Sequence, residues 1–467
     1  MTPTPPPAHH QPAPPKSWVQ CFLPDWKVCF VTLWLAGGLL AAEHSGWLDG
    51  LDNLMFAHAV DTSRAAPPDE QTAAETLIVT ISPALYETAF RERSPLDPRV
   101  LDRILSAIVD SRPTLLAVDL DLSPSPSDAD LPDAPAARAS LLARLGGLAN
   151  AGARVLVVLP GAASTALEQG RKTQWASSAC QAGVELADPN LGLTQTPAGL
   201  SLLKYVPHLP SLGVLMASPT REGLCASRNA AGQLPALMLA PNSAAAALMN
   251  QSAPSERLRI NFKGFDKARV VPLATLAEVD SLAQVIAASK AKTVLLAGGY
   301  ALSDTFALPN AKLVNGAEIH AAVAYSEKNP VRAEHLSAYL LDLFMGVAVG
   351  TLLAWLWHSY QQTSLFHHKA LCLAGAVGCI AAPSWLLIYL MPTALTHDLW
   401  INAVPLFIGL AVHGLIETLH TGHHAPAKTP TSLQLLLDRC GNALWLLLRL
   451  ALAGTGLWLV GLSFFHH

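Results

Sequence analysis

Apolar runs of membrane-spanning length crowd the two ends of this 467-residue chain and are missing from about Gly46 to Ser337. A helix needs ~20 apolar residues to cross a hydrocarbon core. Five stretches meet that demand: 22–43, 338–357, 370–390, 399–419 and 444–465. With 51% hydrophobic residues and a positive mean hydropathy, the composition agrees. The expectation is an all-α transmembrane bundle, with Pro383 and Pro405 kinking two of its helices. Residues 1–21, rich in proline, read as a disordered cytoplasmic tail. Glu43, His44 and Trp47 after the first run leave no small-residue cleavage site, which favours an uncleaved anchor.

Lys16 and Lys27 before the first run, and Lys369, Lys428 and Arg439 in later loops, place those segments inside. The predicted location is the plasma (inner) membrane, multi-pass, with 46–330 outside the cytoplasm and 420–441 as a cytoplasmic loop.

Strand and helix patterns alternate through 46–330. Thr76 to Ser82, Leu115 to Leu122 and Arg154 to Pro160 are short, apolar and β-branched. Between them, Val100, Leu101, Ile104, Leu105 and Ile108 repeat at helical spacing. This alternation predicts an α/β domain, a mostly parallel sheet with flanking helices. Gly161 to Ser255 resists division into elements, although Leu191 to Pro207 suggests a hairpin. Near the end of the domain, Thr293 to Ala297 reads as a buried strand entering a Gly298-Gly299 turn, with a helix from Gly316 to Tyr325.

A net charge of -4 without clustered Lys and Arg excludes a nucleic-acid partner. Of seven cysteines, only Cys180 and Cys225 fall within the α/β stretch, where they form either one disulfide or two buried thiols. No GxSxG, HExxH, P-loop or paired CxxC pattern is present, so neither an enzyme nor a cofactor is predicted.

Several carboxylates and histidines remain as candidates. Asp119 and Asp121 alternate on one strand and should share a face or point to its C-terminal end, where ligands of open α/β sheets bind. Asp304, Glu318 and His320 follow the glycine turn, but Glu318 and His320 diverge by about 200° on a helix and cannot readily share a metal ion. Asp304 is expected to stabilise its loop by hydrogen bonding. Within the apolar C-terminal region, His413 and Glu417 share a helix face and Glu417 is expected to approach Arg449.

The order Gly298, Asp304, Gly316, Glu318, His320, Ala321 resembles the end of the type-two CHASE domain, a sensory extracellular module associated with cyclases and histidine kinases. One apolar run before the domain and three after it also match that family, whereas the fifth run departs from it. The resemblance implies that Asp119 and Asp121 are fold or ligand-pocket residues, although the family's aromatic is missing beside them. It further implies an integral membrane sensor that detects an unknown extracytoplasmic ligand. With no output domain of its own, it would signal through a separate partner or a homo-oligomer, with the lipid bilayer around it. A transport or channel subunit carrying an extracytoplasmic ligand-binding domain is the competing expectation.

Overall fold

The computed structural model describes most of residues 47–333 and 365–400, together with scattered positions in 34–45 and 348–363. Within the first of these spans it leaves aside 64–74, 192–193, 196–200, 228–257, 302–303, 309–312 and a few single positions.

Six parallel strands form the centre: β1 Thr76–Ile81, β2 Leu115–Asp119, β3 Arg154–Val158, β4 Glu185–Ala187, β5 Ala268–Leu273 and β6 Thr293–Gly298. Their spatial order is β4-β3-β2-β6-β1-β5. All six residues of β1 are buried, as a strand covered on both faces requires. Pro272 is tolerated because β5 lies at the sheet edge, where an N–H on the outer side is dispensable. The predicted parallel α/β sheet is present, and the strands foreseen at 76–82, 115–122 and 154–160 all belong to it.

Period-two alternation divides the core. Leu77, Val79 and Ile81 join a cluster with Leu116, Val118 and the helices α3 Pro98–Asp110, α4 Ala134–Asn150, α5 Ala166–Gln181 and α7 Leu276–Ser289. The short helix α2 Pro83–Thr88 places Leu85 in the same cluster. Ile78, Ala117, Leu295 and Ala297 point the other way, onto α6 Leu212–Ala217 and α8 Gly316–Lys328. Local chemistry sets the helix starts. Asp97 caps α3 by accepting the Arg99 N–H at 2.9 Å, with Pro98 at the first turn. Thr275 with Glu278 and Asn315 with Glu318 form capping boxes for α7 and α8.

A third cluster covers the outer sides of α6 and α8. It takes Phe56 and Val60 from α1 Asp49–Ser63, with Phe262, Phe265 and Trp400, and Ala376 and Met391 from α9 Phe366–Leu395. Arg259 lies over the rings of Phe56 and Trp400 and pairs with Asp52, while Trp400 Nε1 donates to Asp52 Oδ1 at 2.9 Å. Segments on either side of the α/β domain are thereby fastened to it.

The expected all-α transmembrane bundle is overturned: among the described residues no helix is long and apolar enough to cross a membrane. The predicted multi-pass location in the plasma membrane falls with it. The run 370–390 lies inside α9, which starts with His367, His368 and Lys369, carries Pro383-Ser384 midway, and packs on α1. Leu399–Trp400, expected to begin a further span, instead pairs as a strand with Arg332–Ala333. Its apolar side chain found protein, since Trp400 is 2% exposed in the cluster around Phe56. Apart from scattered positions, the tail 1–21, the runs 22–43, 338–357, 401–419 and 444–465, and the loop 420–441 lie outside the described residues.

Candidate functional site

Sheet topology marks out a candidate crevice. The helices after β1 and β2 pack on one face, whereas β6, wedged between those strands, feeds α8 on the opposite face. The connections therefore diverge at the carboxyl ends of β1, β6 and β2, which is where open α/β sheets bind ligands. Gly298 and Gly299 end β6 there. A Cβ on Gly299 would sit 3.2 Å from Thr80 Cβ, so the turn hugs the end of β1.

His320 is at the centre of this region. It lies on the second turn of α8, is 3% exposed, and its Nδ1 accepts the Gly213 N–H from α6 at 3.2 Å. An Nδ1 that accepts leaves the proton of the neutral ring on Nε2. Nε2 faces Asp119 Oδ2 at 3.8 Å, beyond hydrogen-bond reach. Asp119 is the last residue of β2, on the face that carries Ala117.

Two further carboxylates influence the imidazole. Asp304, in the loop between β6 and α8, accepts the Gly316 N–H at 3.3 Å, and a Cβ on Gly316 would lie 2.5 Å from Asp304 Oδ1. Only glycine allows that approach at the start of the helix. Asp188, just beyond β4, is 4% exposed and accepts both the backbone N–H and the side-chain amide of Asn190, at 2.8 and 2.9 Å. Among the described residues, no Lys or Arg pairs with Asp119, Asp188 or Asp304.

The electrostatics follow from burial. It pushes Asp119 up to about 6. Asp188 rises for the same reason, partly offset by the Asn190 hydrogen bonds and by His320. Burial and then the Asp119 charge raise Asp304, against the pull of the Gly316 N–H and His320. His320 is lowered to about 4 because its burial outweighs the attraction of Asp304 and Asp188. At neutral pH the site thus holds a neutral imidazole with its Nε2–H toward a carboxylate, and carboxylates that can accept further hydrogen bonds.

The other candidates sit elsewhere. Because β2 ends at Asp119, the period of two no longer governs Asp121, which accepts Ser123 N–H at 2.9 Å, the Ser123 hydroxyl at 2.5 Å and Gly161 N–H at 2.9 Å. Buried Lys172 lies 3.5 Å from Asp121 and 3.2 Å from Glu168. Glu168 itself is held down to about 2, chiefly by the Ser164 N–H and hydroxyl. Glu318 accepts the Asn315 N–H at 3.1 Å as a cap. Cys180, in α5, and Cys225 are joined in a disulfide with Cα atoms 5.6 Å apart. His413, Glu417 and Arg449 lie outside the described residues. Among the described residues, no group of three or more His, Cys, Asp or Glu is placed to hold a metal ion.

Asp188 and Gly213 escaped the sequence reading because 161–255 could not be divided into elements. The one available signal was Asp188-Pro189-Asn190, a turn signature directly after the apolar Leu186-Ala187. Gly213 contributes only a backbone N–H, which no residue pattern announces. No protein-family model matches the chain, and neither does any curated protein or solved structure.

Proposed function

We propose that this protein is a sensor whose α/β domain binds a small polar ligand at the carboxyl end of its sheet and reports occupancy to a separate partner. The observation that carries the proposal is the placement of Asp119, Asp304 and His320 together at the crevice where β6 diverges from β1 and β2. Hydrogen-bond donors on the ligand complement carboxylates that have no Lys or Arg partner. The resemblance of residues 298–321 to the type-two CHASE domain points to the same class of role. The disulfide suits a compartment that oxidises thiols.

A route for the signal is available in α8. One of its sides meets the sheet through Ala317, Ala321 and Ala324, and another meets the cluster with Phe56, Phe262 and Trp400 through Ile319, Ala322 and Val323. A ligand that repositions the start of α8 therefore acts on α1 through the cluster they share, in which the Phe262 ring lies 5.9 Å from that of Phe56.

Thermal unfolding of the full chain in the presence of a panel of amines, amino acids and sugars tests the proposal. A ligand at ~100 times its dissociation constant stabilises by about 2.7 kcal/mol. At least one compound should raise the midpoint of the wild type and leave Asp304→Asn unmoved. No shift from any compound, or equal shifts in both proteins, overturns it.

A further inference from the structure

We propose that His320 is a proton-operated latch, its neutral imidazole holding α6 against α8 through the Gly213 N–H and its protonated form releasing α6. Only one proton moves: it is taken from solvent onto Nδ1, and the Gly213 hydrogen bond is lost in exchange. The imidazolium carries a hydrogen on both nitrogens, so an N–H of the ring would then face the N–H of Gly213.

The contact has no slack. A Cβ on Gly213 would lie 2.7 Å from the His320 carbonyl oxygen and 2.9 Å from Val323 Cβ, so α6 approaches α8 at backbone distance. Leu212, Leu215 and Met216 also pack α6 on the sheet, and further hydrogen bonds hold it. Asp188 O accepts the Leu212 N–H at 3.1 Å. Arg154 donates to the carbonyls of Leu215 and Arg221, each at 2.7 Å, and to that of Ser218, while its remaining donors pair with Glu185. Losing the His320 contact leaves the N-terminal half of α6 held by the Leu212 hydrogen bond and its buried side chains, while Arg154 keeps the C-terminal half on the sheet.

Every element packed around His320 has a defined charge. Asp119 faces it from β2, Asp188 from the loop after β4 and Asp304 from the loop before α8, while α6 offers only backbone. On α8 itself, Glu318 is turned to the Asn315 N–H. Burial opposes the imidazolium and outweighs the attraction of Asp304 and Asp188, so the latch holds at neutral pH and yields on acidification. The latch rests on the sensing role proposed above, because α6 and α8 border the same crevice, but its test needs no ligand.

Hydrogen exchange of the full chain, corrected for intrinsic rates, reads the latch directly. Between pH 7 and pH 4.5, protection of Leu212–Ala217 should fall by about tenfold or more, while that of α3 stays level. In His320→Asn the amide oxygen accepts the Gly213 N–H and does not titrate, so protection should be independent of pH. In Asp304→Asn the imidazolium loses the carboxylate that most favours it, so the fall should move to lower pH. Level protection in the wild type, a wild-type fall in His320→Asn, or an unmoved fall in Asp304→Asn overturns the latch. Ligand-induced thermal shifts that persist despite such a result leave the sensing role standing and remove the latch alone.

Discussion

The backbone N–H of Gly213 donates to Nδ1 of His320 across 107 residues of sequence, and this single bond sets the tautomer of the one imidazole in the crevice. Burial of that ring and of Asp119 then displaces their proton affinities in opposite directions.

Opposite displacements predict a compensated pH profile of stability. His320, lowered from 6.5 to about 4, binds fewer protons folded than unfolded. Its contribution is fully present above pH ~6.5 and is lost as pH falls through about 4. Asp119, raised from 3.8 to about 6, does the reverse: its contribution is present at low pH and is lost as pH rises through about 6. At about 1.4 kcal/mol per pH unit the two are similar, on the order of 3 kcal/mol each. Between pH 4 and 6 the pair should therefore add little net slope. Denaturant melts of Asp119→Asn should show stability falling on acidification over this range, and those of His320→Asn should show it rising. Parallel slopes in the two variants would contradict the assignment.

The disulfide predicts a large loss of stability. Joining Cys180 to Cys225 closes a separation of 45 residues. In the chain-entropy description, such a loop is worth about 4 kcal/mol. Cys180→Ala and the double variant Cys180→Ala/Cys225→Ala should be destabilised to a similar extent, and reductant should destabilise the wild type alone. Reductant-insensitive unfolding of the wild type would show that the bridge contributes nothing.

Gly316→Ala should be destabilising through one identified collision. The new methyl would meet the Asp304 carboxylate, and the cap on the Gly316 N–H would be displaced. A cost of about 1–3 kcal/mol is expected. Removing the carboxylate removes the collision, so Asp304→Ala/Gly316→Ala should be less destabilised than the sum of the single variants, as thermal melts would reveal. Strict additivity would place the strain elsewhere.

Local patterns made much of the α/β domain legible. Leu77, Val79 and Ile81 alternate with Ile78 because successive strand side chains alternate faces, and Leu101, Ile104, Leu105 and Ile108 repeat at helical spacing. Asp304 and His320 were identified from the stretch after β6. Asp121 lies just past the carboxyl end of β2 rather than on a face of it, because the strand stops two residues earlier, where Asp119 pairs with Ala297 in β6.

By itself, then, the sequence determined β1, β2, β3 and β6, the helices α3 and α8, and the two cysteines available for a bridge, all consequences of short-range geometry and composition. Only the tertiary structure decided that β6 inserts between β1 and β2, and with it that Asp119, Asp188, Asp304 and Gly213 meet around His320. It also decided what the apolar residues of α9 and Trp400 pack against. Hydrophobicity demands removal from water without naming the partner, and here Ala376, Met391 and Trp400 bury themselves against Phe56 and its neighbours.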